Sequence, residues 1–142
     1  MQERGRMERV VTGIQYAISC IGAFLGWFLG GVDGFMTALL WFVAVDYLTG
    51  VMVAIIEKKL SSKVGFKGIF KKVIIFCLVG ISNILDIYII KTGSAIRLAV
   101  ISFYIYNEGV SILENISVIG LPVPQKLKDV LEQVGNHDKK EE

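Results

Sequence analysis

Four acids stand inside stretches that otherwise read as hydrocarbon: Asp46, Asp86, Glu108 and Glu114. A carboxylate at the centre of a bilayer costs on the order of 2.5–3.5 kcal/mol on insertion scales, so such residues face protein or water. The chemistry open to them is pairing with a cation, lining water, or passing ions or protons. Little else in the chain is reactive. Cys20 and Cys77 fall in apolar runs and read as small packing residues, not as a disulfide framework or a metal site. His137 is the single histidine and lies in a polar tail. No metal centre or activated nucleophile can be assembled from these residues.

The elements that must position these acids follow from composition. Of 142 residues, 54% are hydrophobic and 20% charged, and the mean hydropathy is +0.60. A soluble domain would carry more charge, spread more evenly. Residues 14–32, 37–56, 73–90 and 96–119 are each apolar over about 18 residues or more, the length that crosses roughly 30 Å of hydrocarbon. The expected fold is an all-α integral membrane protein of about four transmembrane helices, arranged as two hairpins in a single membrane domain over residues 1–142. The first run follows Arg4, Arg6 and Arg9, as in a signal peptide. It is long for one, however, and GGVDGF offers no small-x-small cleavage site, so it is expected to be retained.

Basic residues set the expected orientation. The stretch EKKLSSKVGFKGIFKK (57–72) holds Lys58, Lys59, Lys63, Lys67, Lys71 and Lys72, and reads as a loop. With the N-terminal arginines and the tail 120–142, it carries thirteen of the fifteen basic residues, leaving Lys91 and Arg97 opposite. The positive-inside rule then places both termini and this loop in the cytoplasm. Its lysines, mixed with Val64, Phe66, Ile69 and Phe70, suit anionic headgroups. A bare topology signal fits equally well. In the tail, GLPVP ends the last span. PQKLKDVLEQV then reads as a short amphipathic helix with Leu127, Val130, Leu131 and Val134 on one face, at the membrane surface or against another subunit. HDKKEE is expected to be disordered.

Two stripes remain. In the first span Ser19, Gly22, Gly26 and Gly30 recur on one face, where small residues let backbones approach closely. The neighbour is either a second copy, making a homo-oligomer, or another span of the same chain. Trp27 and Trp41 suit the interfacial belt. In the last span, at 100° per residue, Arg97, Tyr104, Asn107, Glu108, Ser111, Glu114 and Asn115 share an arc of about 120°. Asp46, Gly50, Val53 and Glu57 form a narrower stripe in the second span, and Asn83 and Asp86 one in the third. Asp86 and Arg97, at matching depth across a short turn, are expected to pair. Periodicity leaves two readings of the long arc open, a buried polar network and a water-lined face.

Three motifs in order carry a family resemblance: DYLTG (46–50), KKLSSKVGFKGIFKKV (58–73) and NEGVSILENISVIGLPVPQKLKD (107–129). Together they span about residues 46–131 and resemble the holins of phage lysis and toxin secretion. The resemblance implies a protein that accumulates in the bacterial cytoplasmic membrane and assembles abruptly into large lesions. A murein hydrolase or a toxin without a signal peptide then passes through, with no direct contact required. It implies no catalysis, no cofactor and no nucleic-acid partner. Competing expectations are a small ion channel or proton-coupled carrier using Asp46 and Glu108, and a non-conducting antagonist holin or lipid-binding regulator using the 57–72 lysines.

Overall fold

The computed structural model describes residues 2–91 and 93–137. Those residues form five α-helices: α1 (Gln2–Leu29), α2 (Gly34–Ile56), α3 (Ser62–Leu85), α4 (Ala95–Ile119) and α5 (Gln125–His137). A π turn, Asp86–Ile90, extends α3. Among the described residues α1 to α4 are each long and apolar enough to cross a membrane. The expectation for HDKKEE lies, apart from the backbone of His137, outside the described residues.

Local chemistry sets the boundaries. Gly30 and Gly31 take φ of 78° and 86°, and this left-handed pair stops α1. Extended Asp33 then opens α2, its Oδ1 accepting from the Met36 N–H at 2.8 Å. Lys58, also left-handed, ends α2, and Ser61 opens α3 by accepting from the Val64 N–H at 3.3 Å. Gly120 closes α4, and the prolines at 122 and 124 keep the next residues out of the helix.

Two expected boundaries move. The stretch 57–72 is not a loop throughout, because the Ser61 cap starts α3 eleven residues before the apolar run and only 57–61 connect the helices. Likewise α1 begins at Gln2 instead of 14, since its polar first turns are good helix formers.

The core lies among α2, α3 and α4. Met36, Leu39, Val43, Ile75, Val79, Ile101 and Ile105 form one buried cluster, with Leu29, Phe42, Phe76 and Tyr104 packed around it. Helix α4 lies between α2 and α3 in these contacts, packing most extensively on α2. Among the described elements α1 packs mainly against α3, and its last residue, Leu29, also meets the core. Its anchor is Phe28, whose ring fills the space a side chain at Gly80 would need.

The polarity of the molecule runs opposite to that of a soluble protein. Phe24, Trp41, Leu48, Ile74, Ile81 and Phe103 are exposed, whereas Asp46, Asn83, Asp86, Arg97 and Glu108 are buried. This distribution suits lipid as solvent, which accepts apolar side chains and penalises charged ones.

Candidate functional site

The buried polar residues form two clusters, one at each end of the core. The first joins three helices. Lys72 of α3 donates to Asp46 Oδ2 of α2 at 2.5 Å and to Glu108 Oε2 of α4. Asn115 Nδ2, two turns further along α4, donates to Asp46 Oδ1 at 3.3 Å and to Thr49 Oγ1 at 3.0 Å. The Thr49 hydroxyl returns to α2 through the Val45 carbonyl at 3.0 Å. One ammonium serves two carboxylates, so the fully ionised cluster carries one excess negative charge. Taking three charges out of water is tolerable only with this degree of mutual pairing. Beside it lies a cavity of about 560 Å³ reached by Tyr47, Gly50, Tyr104, Asn107 and Ser111.

The second cluster gathers the helix ends opposite. The Arg97 guanidinium donates from Nη1 to Asp33 Oδ2 at 2.6 Å, from Nε to the Leu29 carbonyl at 2.6 Å, and from Nη2 to the Gly31 carbonyl at 3.0 Å. It thereby caps the end of α1, where free carbonyls concentrate partial negative charge. Asn83 Nδ2 adds bonds to the Trp27 and Phe28 carbonyls at 3.2 and 3.1 Å. Arg97 lowers the Asp33 pKa through its hydrogen bond, against the opposing effect of partial burial, with help from the Met36 N–H.

The expected side-chain pair between Asp86 and Arg97 does not form. The Asp86 carboxylate instead accepts the backbone N–H groups of Ile96 and Arg97, at 3.1 and 2.8 Å. It caps α4 from across the turn, where Ser94 holds the cap position without a side-chain bond. Capping leaves the guanidinium free to turn toward Asp33, in the connection between α1 and α2.

The α4 arc divides. Arg97 and Glu108 are buried, and Tyr104, Ser111 and Asn115 half-buried. Asn107 and Glu114, at one edge of the arc, are exposed. Among the described residues nothing packs on the Gly22 and Gly26 part of the α1 small-residue stripe. Space is open beside Gly22 and Gly26, Ser19 is exposed, and Gly30 is a left-handed turn residue facing Asn83 and Arg97. Of the six lysines in 57–72, Lys58, Lys59, Lys63, Lys67 and Lys71 are exposed, and Lys59 pairs with Glu57 at 2.8 Å. Lys72 is the exception. Its role was detectable from spacing, since Lys72, Ile75, Val79, Asn83 and Asp86 fall on one face of α3.

The sequence profile of the bacteriophage holin family matches residues 23–136. The chain belongs to this family. The matched stretch contains every residue of both polar clusters and leaves out most of α1. Among similar proteins, an uncharacterized 14.9 kDa protein from the nagH 3′ region of Clostridium perfringens is 38% identical over 130 residues, covering 92% of this chain and 98% of its own. An uncharacterized protein of Listeria monocytogenes is 41% identical over 118 residues, covering 83% of this chain and 84% of its own. The uncharacterized YqxH of Bacillus subtilis is 35% identical over 107 residues, covering 75% of each chain. No solved structure matches this chain. Family and helices together make it a holin-like, multi-pass membrane protein.

Proposed function

We propose that this holin-family chain oligomerises in the bacterial cytoplasmic membrane and permeabilises it, releasing a murein hydrolase or a toxin. The observation that carries the reading is the pairing of Lys72 with Asp46 and Glu108 inside an otherwise lipid-compatible subunit. A lesion-forming protein must accumulate in lipid without leaking and later offer polar surface to water. Here most of the polar arc of α4 is stored against α2 and α3, satisfied within one subunit. Separating the helices would expose Glu108, Ser111 and Asn115 together. Both termini and the Lys58–Lys71 end lie in the cytoplasm in this reading, by the distribution of basic residues. The exposed lysines then meet anionic headgroups.

The test is induction of the gene in cells with and without a murein hydrolase. Lysis only with the hydrolase, and release of a folded cytosolic enzyme in both, supports the reading. Cysteines at positions 108, 111 and 115 should react with a membrane-impermeant thiol reagent only after release begins. The cavity beside two buried acids favours a second reading, a narrow pathway for small ions or protons. Selective ion flux with full retention of the enzyme supports that reading, and enzyme release excludes it. Induction without arrest or leakage would favour a non-conducting antagonist.

A further inference from the structure

Helix α5 folds back along α4 instead of leaving it. Leu131 packs over Gly109, where a side chain on the glycine would meet the leucine, and Gly135 sits against the Tyr106 ring. Leu131 is buried, and Leu127 borders an apolar groove formed with Trp41, Phe42, Val45, Ile112 and Leu113. At 1.5 Å per residue, Gly109 lies about 15 Å and Tyr106 about 20 Å from the end of α4 at Ile119. In a hydrocarbon core about 30 Å thick, α5 therefore reaches from one surface to near the midplane.

Its outer side is charged. Lys126, Lys128, Asp129, Glu132 and Gln133 are all exposed. Lysines near the helix start can snorkel to the headgroups, but Asp129 and Glu132 are short and lie deeper. Lipid gives Leu127 and Leu131 no reason to seek α4, because hydrocarbon is as apolar as the groove. Water gives them that reason. The packing of α5 on α4 is therefore the arrangement favoured where the α2–α4 face meets water. The connection from Gly120 to Pro124 is non-helical and begins with a left-handed glycine, which lets α5 leave.

We infer that α5 is a hinged cover for the α2–α4 face. On a subunit surrounded by lipid it lies at the membrane surface. Where that face lines a lesion it docks, and its charged side becomes the water-facing wall. This rests on the lesion-forming reading above and names a lumen surface other than the α4 arc.

The experiment uses the full-length chain with Cys20→Ala and Cys77→Ala, carrying Leu113→Cys and Leu127→Cys. Oxidative cross-linking within the chain is followed during induction, with enzyme release measured in the same culture. The expected result is a cross-link at least about tenfold stronger after release than before. Adding Asp129→Leu and Glu132→Leu should raise the cross-link before release, because the docked helix no longer puts acids into lipid. Equal cross-linking before and after, or none in cells that release enzyme, overturns the hinged cover and leaves lesion formation standing. The absence of enzyme release under any condition overturns the lesion-forming reading and this inference with it.

Discussion

Replacing Lys72 by methionine is the most informative single change. Methionine keeps the length of the side chain and deletes the charge shared by Asp46 and Glu108. The side chains of Lys72, Asp46 and Glu108 are 15%, 11% and 9% exposed, and water in the adjoining cavity can replace only part of the missing charge. Removing one partner of a buried pair costs about 3–5 kcal/mol, most of it from the charge left behind. At about 1.4 kcal/mol per tenfold, the closed arrangement of α2, α3 and α4 becomes two to three and a half orders of magnitude less favoured. Two assays read the effect. Unfolding of the purified protein in detergent should require less denaturant, and permeabilisation of induced cells should begin earlier. The triple variant Lys72→Met, Asp46→Asn, Glu108→Gln should recover most of the loss, because neutral groups cost far less to bury than unpaired charges. If Lys72→Met changes stability by less than about 0.5 kcal/mol, or if the three changes are additive, the cluster is not an energetic unit and the argument from it fails.

The second cluster gives parallel expectations. Arg97→Lys keeps the charge but cannot reach Asp33, Leu29 and Gly31 together, so about 1.5–3 kcal/mol of detergent stability should be lost, measured by denaturant unfolding. Gly80→Ala places a methyl group where the Phe28 ring lies and should cost about 1–3 kcal/mol, with partial recovery when Phe28→Leu is added. The Asp33 carboxyl ionises below its ordinary value near 3.8 when folded. Its contribution is therefore complete above about pH 4 and lost as the pH falls through the folded value. Because Asp33 is 45% exposed, the effect should stay below about 1 kcal/mol, and an acid titration of Asp33→Asn should be flatter over that range.

The number of long apolar helices was readable from hydropathy, because lipid imposes a minimum span length that few other constraints mimic. The polar arc of α4 was readable as well, since Arg97, Glu108 and Asn115 recur at helical spacing, but spacing alone left open whether it is buried or wet. What escaped was identity of partner. Lys72 sits at the end of a run of six lysines, and composition marks the whole run as surface. Only the phase of α3, continued from Asp86 and Val79 back to Lys72, separates the buried lysine from its five neighbours. Asp33 escaped for the opposite reason: it is a lone acid between two apolar runs, and spacing does not show that one of its oxygens caps α2 while the other is free for Arg97. The Asp86–Arg97 expectation matched depth correctly but ignored that a helix start presents backbone donors closer than any side chain.

In a subunit surrounded by lipid the polar arc of α4 needs no water along its length. The arc is wider than one neighbouring pair of helices can cover. Asp46, Lys72 and Thr49 cover the edge that holds Glu108 and Asn115, so those two need no water. The uncovered edge holds Asn107 and Glu114. The Asn107 amide donates to the Phe103 carbonyl of its own helix at 2.9 Å, which reduces its cost in hydrocarbon. Glu114 has no such bond, but it stands five residues, or about 8 Å, from the end of α4, within reach of the headgroup layer. Each outward polar group thus has its own route to satisfaction in lipid, and none requires a water column along the helix. Making the whole arc face water then demands one event above others, the withdrawal of Lys72 from between Asp46 and Glu108. Any force that separates α3 from α2 and α4 acts first on that contact.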